Sequence, residues 1–260
     1  MRIYLINLAR RPDRLAAMAA QAAPLGLALE RVEALDAAGA PAGAVDAWFQ
    51  LGGPLGEIPR GDKACLLSHR AAWELFAASG EAHAVFLEDD VRLSASAPAL
   101  LGSDNWIAAD ALVVKLEHYG PPGQRVLLAD IRKVGEDFRI GRMLSRHTGA
   151  AAYILSRAAV EILLRQTRFD LPVDHLLFNP NNSALFAQLS PWQLLPAIAR
   201  QQEFVGEKSD IEGTRLGLRA FGWTYARREL VRFGYDLKLV PRQLLALARG
   251  AKFTAVRTAD

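Results

Sequence analysis

Three consecutive carboxylates stand directly after an apolar run near residue 85. Residues 84–87 include good strand formers, and Glu88, Asp89 and Asp90 follow them. A short continuous apolar run is typical of a strand covered on both faces, and ligands of open α/β sheets bind where such strands end. Because side chains alternate along an extended chain, Glu88 and Asp90 are expected on one side and Asp89 on the other. Such a carboxylate pair suits Mg²⁺ or Mn²⁺, so Glu88 and Asp90 form our predicted metal site. An acidic surface turn is the alternative interpretation.

Polar side chains also follow the first two predicted strands. Arg11 and Arg14 come after the first strand, where they would bind a pyrophosphate or simply lie on a helix surface. Asp36 comes at the end of the second strand, where it would hold a ribose or base, or cap a turn. We predict both functional roles.

Two carboxylates are candidates for a general base. Asp174 follows Pro172 at a loop-to-helix entry, where capping of the helix is the commoner use of aspartate. Glu117 leaves a predicted strand at the same sheet edge and is the rival candidate. The residues alone leave both candidates open.

The elements that must position these side chains alternate between strand and helix. Strands are predicted at residues 3–8, 29–35, 83–88, 111–117 and 148–155, with a hairpin at residues 125–131 and 137–143. Helices are predicted at residues 15–23, from an Asp62 N-cap to Gly80, and from a Ser156 cap to residue 166. This order predicts an α/β fold with a mostly parallel central sheet.

Bulk composition excludes several classes of protein. The chain has 260 residues, 51% hydrophobic and 23% charged, as in an ordinary globular protein. Its net charge of +3 is too weak to indicate a nucleic-acid partner. Cys65 is the only cysteine, which excludes an intrachain disulfide; we expect it to be a small buried helix residue. Neither a signal peptide nor a membrane-spanning run is recognisable, so we expect a cytosolic or peripheral protein.

The composition changes near residue 221, which divides the chain into a predicted catalytic domain, 1–220, and a basic extension, 221–260. In the extension eight basic residues face three acidic ones, with aromatic residues and leucines between them. Pro241 is predicted to divide it into two helical pieces. We expect it either to hold the protein at an anionic membrane or to pack on the domain with its basic side outward.

Taken in order, several motifs resemble glycosyltransferase family 25, which contains bacterial lipopolysaccharide glycosyltransferases and procollagen galactosyltransferases. No single motif is decisive, but their order and spacing are specific. The family usually has Gly-Glu where this chain has Gly61-Asp62. The matching motifs are Ile6-Asn7-Leu8 with Arg11 and Arg14, Ala34-Leu35-Asp36, residues 61–69 with Trp73, residues 87–91, Lys115-Leu116-Glu117, residues 149–156, Pro172-Val173-Asp174 and Ser209-Asp210-Ile211.

The resemblance implies a GT-A-like fold and an inverting, metal-dependent transfer of a hexose such as galactose. The implied donor is a nucleoside-diphosphate sugar, with UDP favoured, and the acceptor is a saccharide or lipid-linked saccharide of the cell envelope. It adds His69 to the catalytic candidates, which then number three with Asp174 and Glu117, and it favours Asp174 as the base because Asp174 lies in a matching motif. The implied donor-binding set is Asn7, Arg11, Arg14, Asp36, Ser68 and Lys115. A metal-dependent phosphoryl-transfer enzyme and a non-catalytic sugar-nucleotide-binding module are the alternatives.

Overall fold

Strands and helices are interspersed through the first ninety residues, and strands outnumber helices among the described elements after residue 113. The computed structural model describes residues 1–121, 123–201 and 223–259. The strands are β1 (Arg2–Leu8), β2 (Leu29–Ala34), β3 (His83–Glu88), β4 (Val91–Leu93), β5 (Val113–Lys115), β6 (Glu117–His118), β7 (Arg125–Val134), β8 (Phe138–Met143), β9 (Ala152–Ser156), β10 (Pro191–Leu195), β11 (Ala199–Gln201) and β12 (Lys252–Ala255). The helices are α1 (Pro12–Ala22), α2 (Ala42–Asp46), α3 (Arg60–Ser79), α4 (Ala97–Leu101), α5 (Arg157–Leu164), α6 (Val173–Phe178), α7 (Phe186–Leu189) and α8 (Trp223–Ala248).

The main sheet is mixed. Nine described strands pair in the order β12-β7-β8-β10-β5-β9-β3-β1-β2. Strand β1 is parallel to β2 and β3, and β5 is parallel to β10, whereas the other five pairings in this described sheet are antiparallel. The prediction of a mostly parallel sheet is therefore wrong. Apolar runs indicate that a strand is buried, but its direction depends on the connection that delivers it.

Three parallel strands bring their carboxyl ends to one edge of the sheet. Strands β1, β2 and β3 end there, and β9 runs opposite to β3, so the chain entering β9 reaches the same edge. A second sheet, in the order β4-β11-β6, is built from strands that directly follow β3, β10 and β5 along the chain. The acidic residues after β3 thus lie between the two sheets.

Helices cover both faces of the main sheet, which explains the continuous apolar runs in its central strands. Tyr4 of β1 packs in the same cluster as Trp73 of α3. Its neighbour Leu5 points to the other face and packs with Met18 of α1. This alternation follows from the two-residue period of a strand.

Part of the predicted extension belongs to the main sheet. Helix α8 runs through Pro241 without ending, so the predicted division into two helices is wrong; a proline inside a helix removes one hydrogen bond, and here the helix continues beyond it. After α8, β12 pairs antiparallel with β7 and forms one edge of the described main sheet. The predicted boundary at residue 220 and the motif Ser209-Asp210-Ile211 lie outside the described residues.

Candidate active site

A cavity of about 420 Å³ opens at the carboxyl edge of β1, β2 and β3. It lies between the ends of these strands, the amino-terminal half of α3 and the start of α6. Seven of the eleven predicted site residues line it: Arg14, Asp36, Ser68, His69, Glu88, Asp90 and Asp174. The other four, Asn7, Arg11, Lys115 and Glu117, lie outside the lining. The fold thus collects side chains from five separate segments of the chain.

Asp89 is the anchored member of the acidic triplet. Its Oδ2 accepts a hydrogen bond from Nδ2 of Asn7 at 2.7 Å, and its Oδ1 pairs with Arg14 at 3.1 Å. Asn7 also accepts a hydrogen bond from Arg31 at 3.1 Å. Both Asp89 and Asn7 are buried. Asn7 therefore holds the turn that carries the acids.

Asp90 and Glu88 carry the features expected of cation ligands. Within the described residues, Oδ1 of Asp90 is buried and has no hydrogen-bond partner. Burial raises the pKa of Asp90 well above its ordinary value, and the nearby charge of Glu88 raises it further. A divalent cation would satisfy the Asp90 oxygen and neutralise both carboxylates, so these residues fit the implied Mg²⁺ or Mn²⁺.

His69 orients Glu88 from inside the protein. Its Nε2 lies 3.1 Å from Oε1 of Glu88 and its Nδ1 lies 2.7 Å from the Tyr153 hydroxyl, which accepts a hydrogen bond from Trp73 at 2.9 Å. Because an ionised carboxylate only accepts, Nε2 donates to Glu88 and Nδ1 accepts from Tyr153. Burial lowers the pKa of His69 to about 3, although the charges of Glu117 and Asp174 oppose the shift. The imidazole is neutral at pH 7.

Lys115 and Glu117 form a buried ion pair behind the cavity wall. Both side chains are fully buried, and Nζ of Lys115 donates to Oε1 of Glu117 at 2.7 Å. Lys115 also donates to the carbonyl of Gly149, and Glu117 accepts from the Ala151 amide at 2.9 Å. Burial lowers the pKa of Lys115, and Glu117 opposes this shift. The pair holds the segment that enters β9.

Asp174 faces the cavity from the first turn of α6. The helix is capped by Pro172 without a side-chain hydrogen bond, so Asp174 is not the N-cap. Its Oδ2 accepts a long hydrogen bond, 3.4 Å, from the amide of Gly149. Gly149 has a φ of +88°, and a Cβ there would lie 2.6 Å from the Tyr119 ring. The close approach of these segments places Asp174 in the cavity lining.

The opposite wall carries the residues expected to contact the donor. Asp36 pairs with Arg10 at 2.8 Å and accepts from the Ala38 amide at 2.9 Å. The Ala38 bond is the larger cause of the lowered pKa of Asp36, ahead of Arg10. The Ser68 hydroxyl donates to the Ala64 carbonyl at 2.7 Å and accepts from the Leu35 amide at 2.9 Å. Ser68 thus links α3 to the end of β2.

Arg11 turns toward its own helix. Its guanidinium engages Asp13 at 2.8 Å and lowers the pKa of that carboxyl to about 2. This pair is local to the first turn of α1, whereas Arg14, one helical turn after Arg10, lines the cavity. The sequence does not distinguish these arginines because all of them belong to one polar stretch.

Sequence reasoning missed five charged or amide residues of the lining: Arg10, Arg60, Asp62, Asp89 and Gln201. Asp62 is predicted as an N-cap, but the cap of α3 is Pro59 and Asp62 lies buried in the first helical turn. The Gly61-Asp62 motif was the sequence feature that could have identified Asp62. Arg60 begins α3 and carried no signal of its own.

Comparison with known proteins relates the chain to enzymes of saccharide synthesis. The model of glycosyltransferase family 25 (LPS biosynthesis protein) matches residues 1–177. The lacto-N-neotetraose biosynthesis glycosyltransferase LgtB of Neisseria gonorrhoeae is 32% identical over 160 residues, 54% of this chain and 53% of that protein. The lipooligosaccharide biosynthesis protein lic2B of Haemophilus influenzae is 26% identical over 147 residues, 52% of this chain and 53% of that protein. The chain spans about half the length of the curated relatives it matches.

Residues 1–177 include every residue of the cavity lining except Gln201, and they exclude α8. Among residues 1–121, 123–201 and 223–259, no helix is long and apolar enough to cross a bilayer.

Proposed function

Since the chain belongs to glycosyltransferase family 25, we propose that it transfers a sugar from a nucleoside-diphosphate sugar to a saccharide acceptor in lipopolysaccharide or related cell-envelope biosynthesis. The observation that carries the proposal is the cavity at the ends of β1, β2 and β3, in which basic residues of the α1 segment face the acidic turn after β3. The names of the Neisseria and Haemophilus relatives support this setting. The parallel strands β1, β2 and β3, with acids after β3, support a GT-A-like class.

The donor is proposed to be a UDP-sugar bound with Mn²⁺ or Mg²⁺. Glu88 and Asp90 would hold the cation, which supplies Lewis-acid neutralisation of the leaving diphosphate. Arg14, fixed by Asp89, would add positive charge near the phosphates. Asp36, at the end of β2, would hold the ribose or base. His69 keeps Glu88 oriented and stays neutral.

We assign the base to Asp174. It lines the cavity, whereas Glu117 is fully buried and paired with Lys115. In an inverting transfer, Asp174 would accept the proton of the acceptor hydroxyl as that oxygen attacks the sugar. Lys115 and Glu117 would act indirectly by holding Gly149, whose amide contacts Asp174. A hexose is the proposed sugar, with galactose as the first candidate.

We further propose that α8 attaches the protein to an anionic membrane that carries the acceptor. Leu237, Val240 and Leu244 share one helix face and are exposed. The domain side of the helix instead contains Gln243, whose amide donates to the Leu144 carbonyl at 3.1 Å. The apolar face is therefore directed away from the domain, which favours the membrane over packing.

Basic residues flank this apolar face. Lys238, Arg242 and Arg249 are exposed and recur at helical spacing beside the leucines. Each basic residue near an anionic surface contributes on the order of 1 kcal/mol of attraction, and the apolar side chains add insertion energy.

A screen of nucleotide sugars tests the catalytic proposal. Purified protein is incubated with each donor, Mn²⁺ and oligosaccharide acceptors, and nucleoside diphosphate release and glycosylated product are measured together. We expect metal-dependent product from one donor class. Metal-dependent donor binding without turnover, across a broad acceptor panel, would instead support the non-catalytic binding module.

A further inference from the structure

Three metal-ligating atoms of different chemistry converge at the inner end of the cavity. Cys65 and His69 are four residues apart on α3, so they lie on the same helix face, and Glu88 ends β3 beside them. Sγ of Cys65, a ring nitrogen of His69 and a carboxylate oxygen of Glu88 all lie within 4.8 Å of one another. Cys65 is partly exposed and lines the cavity.

Two of the three distances between the ligand atoms are close to those of a tetrahedral zinc site. With Zn–N and Zn–O near 2.1 Å and Zn–S near 2.3 Å, tetrahedral angles require about 3.4 Å between N and O and about 3.6 Å between S and O. Nε2 of His69 lies 3.1 Å from Oε1 of Glu88, and Sγ of Cys65 lies 3.9 Å from the same oxygen. The third distance, from Sγ of Cys65 to the ring nitrogen of His69, is within 4.8 Å, against about 3.6 Å in such a site. Side-chain shifts of up to about 1 Å would admit the ion.

We propose that Cys65, His69 and Glu88 bind Zn²⁺, with the fourth coordination position open to the cavity. The ligand set decides the metal, because thiolate and imidazole favour Zn²⁺ whereas Mg²⁺ prefers oxygen. This zinc site shares Glu88 with the proposed Glu88–Asp90 site but differs from it in ligand chemistry, because that pair offers only oxygen atoms.

Binding requires two proton rearrangements. The Cys65 thiol releases its proton to solvent and coordinates as thiolate. His69 moves its proton from Nε2 to Nδ1, where the Tyr153 oxygen accepts it, and Nε2 then offers its lone pair to the metal. The Tyr153 oxygen then accepts from both Nδ1 of His69 and Nε1 of Trp73, and its own hydrogen, which has lost Nδ1 as acceptor, rotates away from His69.

Sharing of Glu88 has a consequence for catalysis that rests on the proposed function. A zinc ion on Glu88 withdraws that carboxylate from the Mn²⁺ or Mg²⁺ that would bind the donor diphosphate. Zn²⁺ is therefore an antagonist of donor binding, and reduction of the free zinc concentration activates the enzyme.

Cobalt substitution of the full-length protein tests the site without any assay of transfer. Because Cys65 is the only cysteine in the chain, a sulfur-to-cobalt charge-transfer band reports this residue alone. We expect the band to appear with equimolar Co²⁺, to disappear on addition of equimolar Zn²⁺, and to be absent from folded Cys65→Ser. Absence of the band in the folded wild-type protein overturns the proposal.

The variant Asp90→Asn separates the two metal sites. It should keep the cobalt band while losing Mn²⁺-dependent donor binding. Cys65→Ser should show the reverse pattern, with Mn²⁺-dependent donor binding intact and no longer inhibited by Zn²⁺. Loss of the cobalt band in Asp90→Asn overturns the assigned ligand set, and equal zinc inhibition of wild type and Cys65→Ser overturns the antagonism.

Discussion

Asp90 and Asp89 are adjacent, yet the structure predicts different consequences for their replacement. Asp90→Asn should lower Mn²⁺ affinity by about 100-fold or more, because loss even of groups around metal ligands costs 10–100-fold. Its thermal stability should not fall, because Oδ1 of Asp90 has no partner within the described chain and Glu88 repels its charge. Titration calorimetry with Mn²⁺ and thermal unfolding measure both effects.

Asp89→Asn is the matched control. Asp89 accepts hydrogen bonds from Asn7 and Arg14, so its replacement should lower the free energy of unfolding by about 1–3 kcal/mol. Unchanged Mn²⁺ affinity in Asp90→Asn would remove Asp90 from the metal site.

Asp174→Asn separates the two base candidates. Turnover should fall by about 10²- to 10⁴-fold, the usual range for a general base, while donor affinity is retained. Glu117→Gln should instead lower the free energy of unfolding by about 3–5 kcal/mol, because it leaves the buried charge of Lys115 without its partner. Single-turnover kinetics and urea unfolding distinguish these results. Normal turnover in Asp174→Asn would exclude Asp174 as the base.

At the scale of elements, the approach of the β9 entry to the segment after β6 depends on Gly149. Gly149→Ala forces a Cβ against the Tyr119 ring and keeps a left-handed φ, so unfolding free energy should fall by about 3 kcal/mol or more. Gly123→Ala is the control, since its φ is +85° but open space surrounds its Cβ; it should cost about 1–2 kcal/mol. Urea unfolding measures both variants. Equal losses would show that the contact with Tyr119 contributes nothing.

His147 joins β10 to the segment after β6 and makes this junction acid-sensitive. Its Nδ1 lies 2.7 Å from Oε1 of Gln193, and its Nε2 lies 3.0 Å from the Tyr119 carbonyl. Burial lowers the pKa of His147 to about 3 from 6.5. The unfolded chain therefore binds a proton that the folded chain rejects, so stability is lost as pH falls from 6.5 toward 3.

His147→Gln should remove this contribution, which is on the order of 2–4 kcal/mol of stability between pH 7 and pH 4. Urea unfolding of both proteins from pH 7 to pH 4 measures it. The quantity to compare is the slope of unfolding free energy against pH. An identical slope in both proteins would contradict a role for His147 in the acid sensitivity.

At the scale of the whole molecule, α8 is the element that we propose to attach the protein to a membrane. Glutamate in place of Leu237 and Leu244 should abolish binding to anionic vesicles without lowering thermal stability, because these side chains are 51% and 61% exposed. Leu75→Glu on α3 is the control, since this leucine is 46% exposed on another helix. Co-sedimentation at low and high salt measures binding. Retained binding in the double variant would exclude this face.

Removal of the whole extension is a poorer experiment. The β12 strand pairs with β7, so a chain ending before it would expose the backbone of an edge strand. Substitutions on the exposed face avoid that loss.

Local patterns in the sequence were sufficient for much of the framework. The apolar runs predicted β1 and β3, and Ser156 was correctly predicted to cap α5, where its hydroxyl accepts from the Ala159 amide. The order of motifs identified the family correctly. The strands and the cap depend on neighbours within a few residues, and the family depends on the order of motifs along the chain, so the sequence displays both directly.

Tertiary structure alone decided strand direction and side-chain partners. The mixed sheet arises because β9 enters between β3 and β5 in the opposite direction, which no apolar run encodes. Lys115 and Glu117 resemble exposed site residues in the sequence, yet together they neutralise each other behind the cavity wall. Arg11 pairs with Asp13, two residues along the chain, whereas Arg14 pairs with Asp89, which is distant in sequence. A charge in a folded protein takes its role from the partner and the burial that the complete fold provides, and neither is present in the linear chain.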